Sequence, residues 1–177
     1  MDSTNRIGTQ LRLRDGTPVR WRFVVPSDRP AFEAGFASLP AHTRYLRFHQ
    51  HINELPEQLW DGLDETANSA EPRRHVALLL YAGTDPIGVC HVIRSEQDWH
   101  TADVSVTIAE DWQGRGAAGL LLGEALYVAG DVHRIDTQVM LDNTAAIRML
   151  ESIGEIEFSC VQGHCQAVVT ISAAAAA

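Results

Sequence analysis

"DWQGRGAAG", residues 111–119, decides how this chain is read. It holds a literal G-x-G-x-x-G at Gly114, Gly116 and Gly119, and Asp136 lies about as far downstream as a dinucleotide-binding strand would carry its ribose-binding acid. A dinucleotide fold sets that glycine turn at the start of a βαβ unit and builds a parallel sheet after it. Here the glycines come late, and Asp136 falls inside the strand-like run "RIDTQVM" rather than at its carboxyl end. A nicotinamide site is therefore the weaker reading. The work of the glycines does not depend on the fold. Small residues admit a diphosphate to the backbone, and the first amides of a helix offer donors and a favourable dipole. Gly114, Arg115, Gly116, Ala117 and Ala118 can together hold a pyrophosphate. No Lys-Ser or Lys-Thr follows Gly116, so a P-loop with its magnesium is not supported. The alternative is a tight strand-to-helix turn that uses glycine for packing alone.

Upstream of this loop, "HVALLLYA", "PIGVCHVIRS" and "ADVSVTIA" read as strands joined by turns too short for parallel crossovers, which predicts an antiparallel meander. "LRLRDGTPVRWRFV" alternates about Asp15-Gly16 and predicts an opening β-hairpin. "SDRPAFEAGFASL" and "ELPEQLWDGL" predict two early helices flanking a loop that contains "TRYLRFHQH". Downstream, Gly116 to Ala129 is apolar nearly all round and predicts a helix buried against the sheet. "RIDTQVM" follows as a strand. Asn143 then opens a helix with Ala146, Ile147, Leu150 and Ile153 on one face, ended by Gly154, and "IEFSCVQGHCQAVVTI" predicts a closing hairpin.

Composition bounds the rest. At 177 residues and 45% hydrophobic, the chain fits one domain with a sizeable core, spanning residues 1–172. The five terminal alanines, 173–177, carry no chemistry and are left outside it. Fourteen basic against twenty-three acidic residues give a formal charge of −9, which repels phosphate backbones and anionic lipid, so neither nucleic acid nor membrane is an expected partner. No apolar export segment or bilayer span is recognised. Cys90, Cys160 and Cys165 are odd in number and sit in strand-like runs, which predicts reduced thiols in a cytoplasm.

The loop and the Asn143 helix also carry a resemblance. "WQGRGAAGLLL" is similar to the Q/R-x-x-G-x-G/A acetyl-CoA loop of the GNAT superfamily of N-acetyltransferases, matched by Gln113, Gly116 and Ala118 directly after the strand "VSVTI". "NTAAIRMLESIGE" resembles a second element of that superfamily, N-x-x-A-I-x-x-Y-x-x-x-G-F. "LRDGT" and "RYLRF" further resemble the acetyltransferase domain of actinobacterial protein-lysine acetyltransferases. The resemblance implies an α/β GNAT fold: a twisted, mostly antiparallel mixed sheet flanked by helices and splayed at the acetyl-CoA site. It implies acetyl transfer from acetyl-CoA to an amine, with protein lysine leading and small amines and peptide N-termini next, no metal, and a possible homodimer. A non-catalytic acyl-CoA-binding module is the reading from a different class.

By the same resemblance, Val106, Thr107 and Ile108 pair their backbone with the pantetheine arm, and Asn143, which also suits a helix cap, points at it. Asp103 stands on the strand where related enzymes often carry a glutamate base. A lysine-type amine has a pKa of about 10.4, so neutralising it at pH 7 costs roughly 4.6 kcal/mol, which a base or a desolvating pocket must offset. Leu150 stands where many relatives have a tyrosine that protonates the thiolate, and Glu155 where phenylalanine is usual. His91 is an alternative base, read otherwise as a packed strand residue. Tyr45 and Arg47 belong to the expected acceptor wall, with core packing by Tyr45 and Phe48 as the other reading. His49 and His51, like Cys160, His164 and Cys165, lack the spacing of a metal site.

Overall fold

Asp15 and Gly16 turn the chain back on itself. In the computed structural model, which describes residues 10–48, 52–60, 74–161 and 164–172, β1 (Leu11–Arg12) pairs antiparallel with β2 (Pro18–Phe23). Gly16 has φ 84°, and the Asp15 side chain accepts the Thr17 amide at 2.9 Å, an Asx turn that seals the hairpin. β3 (His75–Ala82), β4 (Asp85–Arg94) and β5 (Thr101–Ile108) form the expected antiparallel meander. β6 (Arg134–Met140), β7 (Gly154–Val161) and β8 (His164–Ile171) complete an eight-stranded sheet in the order β1-β2-β3-β4-β5-β6-β8-β7. Among the described residues only the β5–β6 pair is parallel.

Among the described residues four helices flank this sheet: α1 (Arg29–Ser38), α2 (Ala41–Phe48), α3 (Ala117–Ala129) and α4 (Thr144–Glu151). α3 is apolar on most of its circumference because it lies in the core. Leu121, Leu122 and Ala125 are fully buried with Val76, Leu78, Leu80, Cys90 and Ala102 of the sheet. Each such leucine contributes about 1.5–3 kcal/mol. Its one buried carboxylate is partnered: Trp21 Nε1 donates to Glu124 Oε2 at 2.8 Å.

α1 covers the opposite face, over Val24, Ala77 and Leu79. Its entry is pinned by Asp28, which accepts two hydrogen bonds from the Arg22 guanidinium, at 2.7 and 2.6 Å, and one from the Val25 amide at 2.9 Å. Arg22 also bonds the Tyr81 hydroxyl. The Arg22 hydrogen bond holds the Asp28 carboxyl below the usual aspartate range, against the opposing effect of burial.

Three expectations change. "RYLRF" is not loop: it lies within α2, whose first turn closes where the Arg44 amide donates to the Pro40 carbonyl at 3.0 Å. A proline just before a run free of glycine starts a helix readily. "ELPEQLWDGL" yields a single 3₁₀ turn, Glu57–Trp60, and its last residues lie outside the described segments, as do His49 and His51. Cys160 and Cys165 are not reduced thiols but a disulfide, because the β7–β8 register sets them directly opposite with Cα atoms 4.1 Å apart. Cys90 is buried and outside that bridge. Among the described residues no helix is long and apolar enough to cross a membrane.

Candidate active site

The site is built where β5 and β6 part. Their parallel register runs through Thr101↔Arg134 and Ala102↔Ile135 and then ends. Ala102 and Ile135 are buried in the core under α3. One residue further along, Asp103 and Asp136 therefore leave both strands on the other face of the sheet. They stand on the two walls of a cleft of about 430 Å³ that also takes in Val106, Thr137, Asn143 and Leu150. The strands are held at the mouth of the opening by Thr137, whose buried hydroxyl donates to the Val104 carbonyl at 3.1 Å.

That bond shows which edge of β5 faces the gap. Backbone polar groups of a strand alternate between its two edges, so Val106 and Ile108 present theirs to the same side as Val104. The Gln113 side chain donates to the Ile108 carbonyl at 3.1 Å, closing the end of that edge. Thr107 lies in register with Val89 of β4 and lines a second pocket.

The glycine loop, which follows the C-terminal end of β5, has the backbone its composition suggests. Gly114 and Gly116 have φ 74° and 85°, and Gly116 caps the start of α3. A Cβ on Gly116 would come within 2.9 Å of Arg14 Cγ, a contact the exposed Arg14 side chain could relieve by moving, so it is the left-handed backbone that reserves the position for glycine. The amides of Ala117 and Ala118 sit in the first turn of α3, where a helix has no acceptors of its own. The Arg14 amide donates to the Arg115 carbonyl at 3.1 Å, and the Arg115 guanidinium lies 3.4 Å from Asp15 and over the Trp112 ring. The opening hairpin thus brings a second guanidinium, that of Arg14, against the loop.

Asn143 caps α4, accepting the Ala146 amide at 3.1 Å while lining the cleft. Leu150 is 2% exposed and packs in the core at the cleft wall. On the same face as Asp103, a pocket of about 260 Å³ lies between α1 and β3–β5, walled chiefly by Phe32, Phe36, Leu79, Tyr81, Val89 and His91. His91 is buried, and its Nδ1 lies 3.0 Å from His75 Nε2 with the rings stacked. Tyr45 is half-buried in α2.

A family model described as the acetyltransferase (GNAT) family matches residues 37–154, well over half of the chain. The chain belongs to that family. Acetyltransferase Pat of Mycolicibacterium smegmatis is 26% identical over 151 residues, covering 82% of this chain and 44% of that protein, so the chain spans less than half the length of this relative. The GNAT domain of S. lividans PAT shares the fold at a TM-score of 0.76 and 19% identity, over 92% of this chain and 96% of that one. Spermidine N-acetyltransferase from Vibrio cholerae, solved with CoA and spermine, does so at a TM-score of 0.62 and 14% identity, over 86% and 95%.

Three features of this GNAT site were not singled out from sequence. Asp136 was weighed only as a ribose ligand, although its even spacing from Gln138 already put it on one strand face. Arg14 reaches the loop only because the hairpin folds onto it, and the His75–His91 pairing depends on β3–β4 register; neither leaves a local sequence signal.

Proposed function

We propose that this domain transfers the acetyl group of acetyl-CoA to a primary amine, with a protein lysine as the leading acceptor. The observation that carries the reading is the β5–β6 seam, which opens at Asp103, together with the glycine loop that follows the C-terminal end of β5. The diphosphate of the donor fits the amides of Gly114 to Ala118, with Arg14 and Arg115 beside it, and the pantetheine arm fits the open edge of β5 at Val106 and Ile108. Asn143 borders the same arm.

Asp103, exposed on the cleft wall, accepts the proton of the incoming ammonium. The amine nitrogen then attacks the thioester carbonyl carbon to give a tetrahedral adduct with a positively charged nitrogen, the C–S bond breaks to leave the amide, and the departing thiolate takes up the proton lost from that nitrogen, directly or through solvent. Leu150 has no proton to give, so in this scheme the nitrogen or solvent supplies it. Asp136 on the facing strand adds a second carboxylate that favours a cationic acceptor. No metal has a role in this scheme.

The preference for lysine rests on the likeness to the mycobacterial Pat protein; the two carboxylates suit a polyamine as well. Incubation with acetyl-CoA, lysine peptides and spermidine, followed by mass spectrometry and thiol release, tests the reading. Acetyl transfer to peptide lysine is expected. Spermidine turnover far above peptide turnover would reverse the acceptor, and CoA binding without transfer to any amine would leave a binding module.

A further inference from the structure

The end of the sheet farthest from the glycine loop carries a separate cluster. His100 precedes β5, and Asp131 and His133 precede β6. The two segments are clamped by backbone: the His100 carbonyl accepts the amides of His133, at 2.9 Å, and Arg134, at 3.1 Å. Asp131 has φ 45°, the one non-glycine residue with positive φ among the described residues. That turn aims its carboxylate between two imidazoles, with Oδ1 3.0 Å from His133 Nε2 and Oδ2 3.3 Å from His100 Nδ1. The ring centroids lie 5.0 Å apart, and one ligand atom from each of the three residues falls within 4.8 Å of the others.

A tetrahedral zinc ion with bonds of about 2.0–2.1 Å holds its ligand atoms roughly 3.3 Å apart; here the three ligand atoms lie within 4.8 Å of one another, with His100 Nδ1 also 3.1 Å from the Asp131 carbonyl, so small rotations of these exposed side chains would close them on an ion. Two imidazoles and one carboxylate are a donor set for a borderline transition ion rather than for magnesium or calcium. The adjacent C-terminus of α3 favours positive charge. Of the charged neighbours, Asp98 accepts the His100 amide at 3.0 Å and favours a cation. Arg94 opposes one, but its guanidinium is turned onto the carbonyls of Trp99, Ala129 and Gly130, with Asp131 O at 3.4 Å. Arg134 follows at the start of β6.

We infer that His100, Asp131 and His133 bind one zinc-class divalent ion, with water completing the shell, and that the ion braces the two strands just where their pairing is shortest. The competing account is an aspartate hydrogen-bonded to two histidines with no affinity for metal.

The test uses the full chain without an affinity tag, stripped with chelator, then titrated with zinc chloride by calorimetry and followed by thermal unfolding. Neither readout depends on acetyl transfer. Zinc is expected to bind one per chain at micromolar concentration and to raise the melting temperature by about 5–10 °C at a hundredfold excess over Kd. Magnesium chloride should give neither effect. The His100→Ala/His133→Ala double variant alters only exposed side chains, so its metal-free melting should match wild type while zinc affinity falls at least about tenfold. Asp131→Asn, which tolerates the left-handed turn, should also weaken zinc binding. Zinc binding undiminished in the double variant, or no heat and no shift in the wild type, overturns the site.

Discussion

The two edges of β5 meet opposite fates. Along β4 it is zipped antiparallel from Arg94↔Ala102 to Gly88↔Ile108; along β6 it is paired parallel at only Thr101↔Arg134 and Ala102↔Ile135. A short turn ties β4 to β5, so their register follows from local chain geometry. β6 arrives after the whole of α3, and the helix, not a turn, sets where it touches down. The zipped side carries the buried His91 against a half-buried His75 and an apolar pocket; the open side turns backbone groups of Val106 and Ile108 to the gap, with Asp103 and, on the facing strand, Asp136 on the cleft walls. One strand is thus zipped into the sheet on one side and borders an open cleft on the other.

The sharpest way to break that contrast is to remove packing from the open side. Leu150→Ala should destabilise the domain by about 2–5 kcal/mol, read by urea unfolding, because a 2% exposed leucine leaves a cavity beside the cleft. If stability is unchanged, the open side is not part of the core. Asp103→Asn comes next, with kcat/KM reduced by roughly 10²-fold, about 2.7 kcal/mol, and acetyl-CoA affinity nearly intact in a thermal-shift titration. Full activity at neutral pH in that variant would move the base to His91 or to a water relay.

On the zipped side, Asp28→Asn should loosen the α1 wall and cost about 2 kcal/mol, since it removes charge-assisted hydrogen bonds from Arg22. Asp28 has its folded pKa depressed, so its contribution is present above the unfolded value of about 3.9 and is lost as pH falls through the folded pKa. The gap in melting temperature between wild type and variant should therefore be full at pH 6 and shrink below about pH 3.9; a gap constant with pH would remove the ion pair from the account. The smallest effect is expected of Thr137→Val, which takes the one side-chain donor away from the Val104 carbonyl at about 1 kcal/mol. Faster amide exchange at the start of β6 checks it, and unchanged exchange would mean that the seam is held by α3 alone.

Much of this was legible in residues alone where the determining forces are local. The strand-like runs of β3–β5 joined by short turns, the glycines with positive φ at Gly16, Gly114 and Gly116, the Asn143 cap and the all-round apolar α3 each follow from steric or hydrophobic preferences acting over a few neighbours. The helix over "RYLRF" was missed because its signal is only the absence of breakers after Pro40. The Cys160–Cys165 bridge was missed because cysteines five apart become partners only once the hairpin register sets them face to face.

What the sequence by itself determined, then, are the strands, the buried α3 helix and the left-handed glycine loop before it, since these are written in backbone preference and short-range spacing. Tertiary structure alone decided where β6 leaves β5. That choice puts Asp136 opposite Asp103; separately, the fold of the opening hairpin brings Arg14 to the glycine loop and the β3–β4 register sets His75 beside His91, because none of those meetings is encoded by a local rule.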